Sequence, residues 1–388
     1  MVVKPMIRGG ICMNAHPEGC DLLVQKQIDY VKSQETLDGP KAALIVGSSA
    51  GYGLASRITA AFGAGAGTLG VAFEKPASKK RTATSGWYAA EAFDRKAKDA
   101  GLVAETIIGD AFSHETRAAA IERIRELFGT VDLVVYSLAS GVRKDPDTGE
   151  TFYSALKPIG RPYTATSLDP MKETLGEVTI QPASQEEIDA TVKVMGGEDW
   201  RLWIKALMDA GVLADGARTV AYSYIGPELT RPMYREGTIG RAKDQLEATA
   251  SNVTDLMKPV NGSAHVSINK AIVSKASAVI PVVPLYMSTL FRIMKEKGLH
   301  EGPIEQMYRL FADRLYADGA VPTDDEGRIR MDDYEMRRDV QDEVTAIWPK
   351  ISEENLKEVT DLDGYQTDFL QIHGFGFPEI DYEKEIEP

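Results

Sequence analysis

The stretch that decides the fold is Ala42-Ala-Leu-Ile-Val-Gly-Ser-Ser-Ala-Gly-Tyr-Gly-Leu-Ala-Ser-Arg-Ile-Thr-Ala-Ala-Phe62. Its first five residues form a continuous apolar run, which is typical of a strand buried on both faces of a parallel sheet. Gly47, Gly51 and Gly53 follow, and then a helix is predicted over residues 54–62. This order favours a dinucleotide site, because glycines let backbone amides approach a pyrophosphate at the helix N-terminus. A glycine cluster is also often only a tight turn. The end of the next strand therefore decides whether a dinucleotide site is predicted.

That next strand is predicted over residues 68–73 and ends in Glu74, about 20 residues past the glycine turn. A carboxylate at this position accepts from both hydroxyls of the adenosine ribose and repels a 2′-phosphate. The sequence therefore favours NADH over NADPH. Lys75, Lys79 and Lys80 follow closely and would weaken this preference.

Strands and helices continue to alternate beyond Glu74. The patterns predict a helix over residues 87–100, a strand over 103–108, a helix over 113–128 and a strand over 131–136. Repeated winding of this kind predicts an α/β fold with a Rossmann-type doubly wound parallel sheet. Asp110 follows the third strand, where its carboxylate can accept from the adenine amino group. Leu138 and Ala139 follow the fourth strand, at the switch point of the sheet.

The remainder of the chain adds an insertion and an extension to this sheet. Residues 141–183 break the alternation with many prolines and glycines, and we interpret them as an inserted flap near the active site. A capping box at residues 184–187 restarts the helices. We expect a single Rossmann-type domain with a dinucleotide-binding half (41–140), the flap (141–183) and a catalytic and substrate half (184–297). A helical, acidic C-terminal extension (298–388) follows, with a short strand predicted at 328–331.

The candidate chemistry lies between residues 221 and 243. A strand predicted over 218–224 carries Tyr222 and Tyr224 at its carboxyl end. Tyr234 and Lys243 are nine positions apart, which places them on opposite faces of a regular helix. A helix that begins after Tyr234, with Thr238 as its N-cap, leaves the tyrosine on a loop that can fold back towards Lys243.

In that arrangement the phenol of Tyr234 acts as an acid or hydrogen-bond donor. The ammonium of Lys243 lowers the pKa of the phenol and holds a sugar hydroxyl. The alternative is two surface residues, since a tyrosine and a lysine at this spacing are common. The rest of the chain decides between the two.

Composition excludes several classes of protein. The 388 residues include 43% hydrophobic and 26% charged side chains, which is typical of a soluble globular protein. The net charge of −14 argues against nucleic-acid binding, which requires clustered Lys and Arg.

Cysteine usage indicates a reducing compartment, and hydropathy predicts no membrane span. Cys12, Cys20 and His16 lack a further nearby ligand, so we expect plain thiols and no metal site. The longest apolar run, at 276–291, is shorter than a bilayer span and contains two prolines. The N-terminus lacks the features of a signal peptide. We expect a cytoplasmic protein without membrane insertion.

Eight segments together carry a resemblance that covers nearly the whole chain. They are residues 14–20, 51–57, 109–112, 136–140, 194–200, 221–227, 279–286 and 294–298. In these segments the chain resembles the trans-2-enoyl-CoA reductases and the V-type enoyl-ACP reductases of bacterial fatty acid metabolism. The signature of that family, a Tyr and a Lys separated by eight residues, is matched by Tyr234 and Lys243.

The resemblance implies roles for individual residues. Tyr234 is expected to be the proton donor, Lys243 to complete the catalytic pair, and Tyr224 to contact the substrate thioester. The expected NAD(H) contacts are Gly47, Ser48, Ser49, Ala50, Gly51, Tyr52, Phe73, Glu74, Asp110, Ala111, Leu138, Ala139, Lys243, Ile272, Val273 and Ser274.

The implied activity is NADH-dependent reduction of a trans-2-enoyl thioester by a monomeric enzyme, with CoA or acyl carrier protein as the carrier. Two alternatives remain open from the residues themselves. A short-chain-type NAD(P)H carbonyl (3-ketoacyl) reductase needs a serine that shares the carbonyl with the tyrosine, and Ser140 is the candidate. An NAD(H)-binding sensor without turnover is the other alternative.

Overall fold

The computed structural model describes residues 1–8, 10–79 and 81–387. Its strands are β1 (Ile7–Arg8), β2 (Ile11–Cys12), β3 (Ala42–Val46), β4 (Gly67–Ala72), β5 (Ala104–Ile108), β6 (Val131–Tyr136), β7 (Val142–Lys144), β8 (Thr151–Tyr153), β9 (Tyr163–Asp169), β10 (Thr174–Ile180), β11 (Leu213–Ser223), β12 (Ser263–Ile268) and β13 (Ile329–Arg330).

The helices are α1 (Pro17–Ser33), α2 (Gly51–Ile58), α3 (Ser85–Asp99), α4 (His114–Leu127), α5 (Gln185–Met195), α6 (Glu198–Asp209), α7 (Thr238–Met257), α8 (Val283–Glu296), α9 (Pro303–Leu310), α10 (Arg338–Ile347), α11 (Leu356–Val359) and α12 (Leu362–Gln371). π-Helical turns at Thr59–Gly63 and Phe311–Leu315 extend α2 and α9. None of the described helices combines the length and apolar character needed to span a bilayer.

Seven of the described strands form one parallel sheet in the order β13-β12-β11-β6-β3-β4-β5. The chain winds outward from β3 to β5 and then returns to the other side of β3 with β6. The predicted doubly wound parallel sheet is therefore confirmed. Its topological switch lies between β3 and β6, and ligands of such sheets bind at the carboxyl ends of the strands near this point.

Strand β3 shows why its sequence is a continuous apolar run. Successive side chains of a strand point to opposite faces of the sheet. Ala43 and Ile45 pack into a hydrophobic layer that includes residues of α1, α2 and α3, whereas Leu44 and Val46 pack into a layer with residues of α4, α6 and α7. All five residues of β3 are buried, so both faces require apolar side chains.

The regions outside the predicted βα units also contain regular secondary structure. Residues 141–183 contain two antiparallel hairpins, β7–β8 and β9–β10. The strand predicted at 328–331 is present as β13 and pairs with β12, so the C-terminal extension contributes an edge strand to the central sheet. Helix α8 packs with α10 and α12 in a further hydrophobic cluster.

A buried ion pair joins α4, α6 and β6. Arg117 donates from Nη2 to Oδ1 of Asp199 at 2.6 Å, and the hydroxyl of Tyr136 donates to Oδ2 of Asp199 at 3.0 Å. The side chains of Arg117 and Asp199 are only 4% and 1% exposed. Each charge thus depends on the other for its compensation.

We expect Asp199→Ala to destabilise the fold by about 3–5 kcal/mol, because it leaves the Arg117 charge buried without its partner. Asp209→Ala is the matched control on the same helix. Asp209 pairs with Lys205, and both side chains are at least half exposed, so its loss should cost less than about 1 kcal/mol. Urea unfolding of the two variants checks the difference, and equal losses would contradict it.

Candidate active site

The segments predicted to bind the dinucleotide follow the carboxyl ends of neighbouring strands. They are residues 47–52 after β3, 73–74 after β4, 110–111 after β5, 138–139 after β6 and 272–274 after β12. Tyr224 directly follows β11. Because these strands are parallel, their carboxyl ends lie at one edge of the sheet. The topology therefore brings the predicted cofactor segments and Tyr224 to the same edge.

The glycine turn leaves no room for side chains at two positions. Gly47 has a φ of +88°, and a Cβ there would lie 2.5 Å from the carbonyl oxygen of Ser137. A Cβ on Gly53 would lie 1.8 Å from the carbonyl oxygen of Gly47. The N-cap of α2, Ala50, supplies no side-chain acceptor. The first-turn amides of α2 are thus left to a ligand, and a pyrophosphate fits them.

Glu74 is held by two hydroxyl groups. Its Oε1 accepts from Ser49 Oγ at 2.7 Å, and its Oε2 accepts from Thr84 Oγ1. A Cβ on Gly86 would lie 2.0 Å from Oε1 of Glu74, so the start of α3 packs directly on the carboxylate. The remaining lone pairs can accept from two ribose hydroxyls.

The residues around Glu74 differ in exposure. Phe73 is 76% exposed and presents an apolar ring at the surface. Lys75 and Lys79 are exposed as well. Lys80, the third lysine expected to weaken the preference for NADH, lies outside the described residues.

The segments after β5 and β6 are set by local hydrogen bonds. Asp110 Oδ1 accepts from the Phe112 amide at 3.0 Å, and the Ala111 carbonyl accepts from Trp203 Nε1 at 3.0 Å. Leu138 is half-buried and Ala139 is exposed.

Ser140 is engaged in its own turn. Its hydroxyl donates to the Val142 carbonyl at 2.6 Å and accepts from the Val142 amide at 3.1 Å. A carbonyl reductase would need this hydroxyl to be directed at the substrate together with the tyrosine. The observed bonds disfavour that alternative.

Tyr234 lies outside α7, as the spacing argument predicted. Its amide donates to the Thr230 carbonyl at 3.1 Å, and its carbonyl accepts from the Gly237 amide at 3.1 Å, so a series of turns holds it ahead of the helix. Arg235 bonds this turn to α7 through Glu247, at 2.9 and 3.2 Å.

The prediction that Thr238 is the N-cap of this helix is wrong, since the N-cap is Gly237. Thr238 instead bonds to the flap region. Its hydroxyl donates to the Ala155 carbonyl and accepts from the Lys157 amide. A threonine that satisfies two backbone groups of a neighbouring segment no longer needs to cap its own helix.

Tyr224 and Tyr234 are in direct contact. Their rings meet edge to face, with centroids 4.9 Å apart and an interplanar angle of 85°. Tyr224 is half-buried and Tyr234 is 7% exposed. Gly226 has a φ of +76°, and a Cβ there would lie 3.1 Å from the Tyr224 ring, so a glycine lets the chain turn across this ring. Tyr222 is engaged elsewhere, since its hydroxyl pairs with that of Ser56 on α2 at 2.5 Å.

Burial dominates the electrostatics of the two phenols. It raises the pKa of both Tyr224 and Tyr234, and the charge of Glu335 adds to the shift. Both phenols are therefore protonated at neutral pH. The expectation that Lys243 lowers the pKa of Tyr234 is wrong, because burial, to which Glu335 and Tyr365 add, raises that pKa.

Lys243 is itself perturbed by its surroundings. Its Nζ donates to the Tyr222 carbonyl at 3.2 Å. Burial lowers the pKa of Lys243 to about 8, and Glu247, one turn further along α7, opposes the shift. The ammonium is present at neutral pH but is lost within a modest pH range.

Glu335 is a site residue that the sequence did not reveal. It is fully buried, and its Oε1 accepts from the hydroxyls of Tyr224 at 2.9 Å and Tyr286 at 2.7 Å. It lies in an acidic stretch that resembles an exposed surface. The sequence feature that could have indicated a buried acceptor such as Glu335 is Tyr286, because a tyrosine within an apolar run needs a hydrogen-bond partner for its hydroxyl.

A cavity of about 360 Å³ adjoins the loop after Tyr224. Its lining residues are Ile225, Gly226, Pro227, Glu228, Arg231, Arg235, Glu326, Arg328, Arg330 and Met336. The arginines are paired with carboxylates; Arg328, for example, meets Asp324 at 2.8 Å and Glu326 at 2.6 Å. The cavity is therefore not a strongly positive anion site.

The N-terminal thiols have no metal-site geometry. Cys12 and Cys20 are both buried and unpaired. His16 is the N-cap of α1, and its Nδ1 accepts from the Gly19 amide. Within residues 1–8, 10–79 and 81–387, no group of three or more His, Cys, Asp or Glu side chains is arranged to hold a metal ion.

Comparisons with known proteins cover the whole chain. Residues 81–316 match the family model of the trans-2-enoyl-CoA reductase catalytic region, and residues 2–79 match the NAD(P)H binding domain of trans-2-enoyl-CoA reductase. Residues 323–386 match a family model described as an enoyl reductase FAD binding domain.

Two relatives and one solved structure are similar along their full lengths. The chain is 53% identical to an NADH-dependent enoyl-[acyl-carrier-protein] reductase of Cytophaga hutchinsonii, covering 100% of this chain and 98% of the relative. It is 52% identical, with the same coverage, to an NADH-dependent trans-2-enoyl-CoA reductase of Ruminiclostridium cellulolyticum. The crystal structure of Treponema denticola trans-2-enoyl-CoA reductase in complex with NAD superposes with a TM-score of 0.97 at 53% identity, covering 100% of this chain and 98% of that one.

The described residues of the 323–386 segment do not fit a flavin. Asp361 and Asp363 lie at the N-terminus of α12, and the apolar faces of α10 and α12 are already buried against α8. Negative charge at a helix N-terminus opposes the binding of a pyrophosphate. Gly374 serves packing, since a Cβ there would lie 2.3 Å from the His16 carbonyl oxygen. We assign no flavin to this segment.

The perturbed Lys243 predicts a pH dependence of NADH binding. Burial disfavours the charged form, so the ammonium is present below a pH of about 8 and is lost above it. We expect the dissociation constant, measured by NADH fluorescence, to rise by up to about tenfold between about pH 7 and 9.

Two arginine variants identify the group responsible. Lys243→Arg keeps a cation throughout this range, so its affinity should not change with pH. Lys270→Arg is the matched control, because burial also lowers the pKa of Lys270 to about 8, and it should retain the dependence. The opposite pattern would assign the effect to Lys270.

Proposed function

This chain belongs to the family of trans-2-enoyl-CoA reductases and NADH-dependent enoyl-[acyl-carrier-protein] reductases, and we propose that it acts through Tyr234, Tyr224 and Lys243. It is an oxidoreductase that reduces trans-2-enoyl thioesters to saturated acyl thioesters with NADH. The edge-to-face contact of Tyr224 and Tyr234, at the sheet edge where the dinucleotide segments converge, carries this assignment of residues.

The proposed cofactor site follows the strand ends. The turn from Gly47 to Tyr52 would hold the pyrophosphate, and Glu74 would accept from the adenosine ribose. Asp110 and Ala111 would contact the adenine, while Leu138, Ala139 and residues 272–274 would make further contacts. NADH, when bound, supplies a hydride to the β-carbon of the substrate.

The proposed work of the protein is to stabilise the negative charge that hydride addition places on the thioester oxygen. Tyr234 keeps its proton at neutral pH, because burial raises its pKa, and it would donate to that oxygen. Tyr224 would contact the thioester beside it. Lys243 would place its ammonium near the ribose and the developing charge, where little water screens it. A proton from Tyr234 would then move to the α-carbon and complete the product, and solvent would return a proton to the phenolate.

The carrier, the assembly and the compartment are also part of the proposal. Relatives of equal similarity are named for acyl-carrier-protein and for CoA substrates, so we propose that both carriers are accepted. Two buried, unpaired thiols suit a reducing, cytoplasmic environment. We propose a monomer, which sedimentation analysis of the purified protein would test.

The division of the chain is proposed on the same basis. Residues 41–140 would hold the dinucleotide, 141–183 would cover the site, 184–297 would carry the catalytic residues, and 298–388 would support them. The hydrogen bonds of Thr238 support the proposal that the flap covers the site, because they join α7 to the backbone at Ala155 and Lys157.

Tyr234→Phe tests the central assignment. The change removes only the hydroxyl, so folding and NADH affinity should remain near those of the wild type. The rate of crotonyl-CoA reduction should fall by about 10²–10⁴-fold, equivalent to about 3–5 kcal/mol of barrier. The decrease in NADH absorbance measures this rate.

Tyr316→Phe is a matched control, because its buried hydroxyl has no hydrogen-bond partner in the described part of the chain. It should retain the wild-type rate. A Tyr234→Phe enzyme within about threefold of the wild type would show that another group supplies the proton.

Glu74→Ala tests the cofactor preference. The carboxylate would repel a 2′-phosphate, and a like-charge contact of this kind costs several kcal/mol. We expect the ratio of kcat/KM for NADH to that for NADPH to fall. Glu91→Ala removes an exposed carboxylate from α3 and should leave the ratio unchanged. A ratio that did not move in Glu74→Ala would exclude Glu74 as the ribose ligand.

A further inference from the structure

Glu335 receives three hydrogen bonds, and two of the donors lie in or beside proposed functional segments. The hydroxyls of Tyr224 and Tyr286 donate to its Oε1 at 2.9 and 2.7 Å, and the amide of Ala271 donates to its Oε2 at 2.7 Å. The Ala271 amide immediately precedes the proposed cofactor segment 272–274. One fully buried carboxylate therefore bonds to a proposed catalytic tyrosine and to the cofactor loop.

The backbone around Glu335 is anchored to the central sheet. The amides of Met331 and Asp332 donate to the Ile268 carbonyl at 2.8 and 3.0 Å, and Ile268 is the last residue of β12. The Gln341 side chain donates to the Glu335 carbonyl at 2.7 Å. The carboxylate thus has a fixed position relative to the strand that leads into the cofactor loop.

The effect of Glu335 on Tyr224 follows from the fact that the Tyr224 hydroxyl has only one proton. The Glu335 carboxylate accepts from the Tyr224 hydroxyl, and a phenol has a single proton to donate. While Tyr224 donates to Glu335, its oxygen faces other groups with a lone pair. Glu335 therefore sets both the position of the Tyr224 oxygen and the direction of its proton.

We infer that Glu335 is a positioning residue for the reduction, which acts through Tyr224 and holds this phenol in register with the cofactor loop. The inference rests on the proposed function of Tyr224. It also gives the 323–386 segment a role in the site that requires no flavin.

Glu335→Gln separates the two sides of the carboxylate. A glutamine has one acceptor oxygen, so it cannot accept from both Ala271 and the two phenols. With its oxygen towards the Ala271 amide, its NH₂ group faces the phenol oxygens, and the Tyr224 proton must turn away. We expect NADH affinity to stay within about twofold and kcat to fall by up to about 10²-fold, as for a misplaced group in the active site.

A double-mutant cycle with Tyr224→Phe gives the readout that a purely structural role would not produce. If Glu335 acts through the Tyr224 hydroxyl, Glu335→Gln should cost less than about threefold in kcat once that hydroxyl is absent. Independent effects would instead multiply in full. Multiplied losses overturn the inference.

Asp332→Asn is the matched control. Asp332 is also fully buried, lies three residues earlier, and pairs with Arg330 at 2.7 Å; within the described residues its carboxylate accepts side-chain hydrogen bonds from Arg330 and not from a tyrosine. It should lower the melting temperature without coupling to Tyr224→Phe. Coupling of equal size in Asp332→Asn would overturn the inference. If Glu335→Gln does not fold, Glu335→Asp keeps the charge, withdraws it from the phenols, and enters the same cycle.

The wild-type rate distinguishes a failure of the inference about Glu335 from a failure of the proposed function. Turnover of crotonyl-CoA with NADH by the wild type, together with multiplied losses in the cycle, overturns only the role of Glu335. Absence of turnover on any enoyl thioester overturns the proposed function, and this inference with it. Turnover with losses that do not multiply supports both.

Discussion

The close approach of β3, α2 and β6 at the glycine turn is the constraint on which the site depends. A Cβ on Gly53 would lie 1.8 Å from the Gly47 carbonyl oxygen, and one on Gly47 would lie 2.5 Å from that of Ser137. Backbone therefore packs on backbone where the sheet reverses its winding direction. Because side chains are absent there, the amides of α2 face the crevice in which a dinucleotide can lie.

The same edge collects polar groups that a buried position would otherwise penalise. Unpaired polar groups cost free energy when they leave water, and a buried charge costs more. Two of these groups have specific partners: Glu74 accepts from Ser49 and Thr84, and Lys243 donates to the Tyr222 carbonyl. Partners that satisfy these groups in the folded state also fix their orientation before substrate arrives.

Much of the fold could be predicted from periodicity alone. The apolar run at β3, the capping box before α5 and the repeated alternation predicted the sheet and most of its helices. The position of Tyr234 outside α7 also followed from spacing, because nine helical steps would separate it from Lys243. These features depend on residues that are close in sequence. One amino-acid sequence is therefore enough to predict them.

The features that the sequence did not predict depend on contacts between distant segments. The residue type of Thr238 suits an N-cap, but in the structure its hydroxyl bonds instead to the backbone of Ala155 and Lys157 in the flap. The pKa of Tyr234 could not be judged without knowing that the hydrophobic cluster of α8, α10 and α12 encloses its ring. Glu335 is separated from Tyr224 by 111 positions. No local pattern distinguishes such a carboxylate from the exposed ones around it.

The burial of Glu335 also links the C-terminal extension to the candidate active site. An ionised carboxylate in an apolar interior costs several kcal/mol unless good hydrogen bonds compensate it. Burial accordingly raises the pKa of Glu335, and the Ala271 amide and the charge of Lys270 oppose the shift. Those groups, together with the two phenols, lie in parts of the chain far from residue 335 in sequence. The buried carboxylate is therefore compensated only in a fold that brings β12, residues 271–274 and Tyr224 together around the extension.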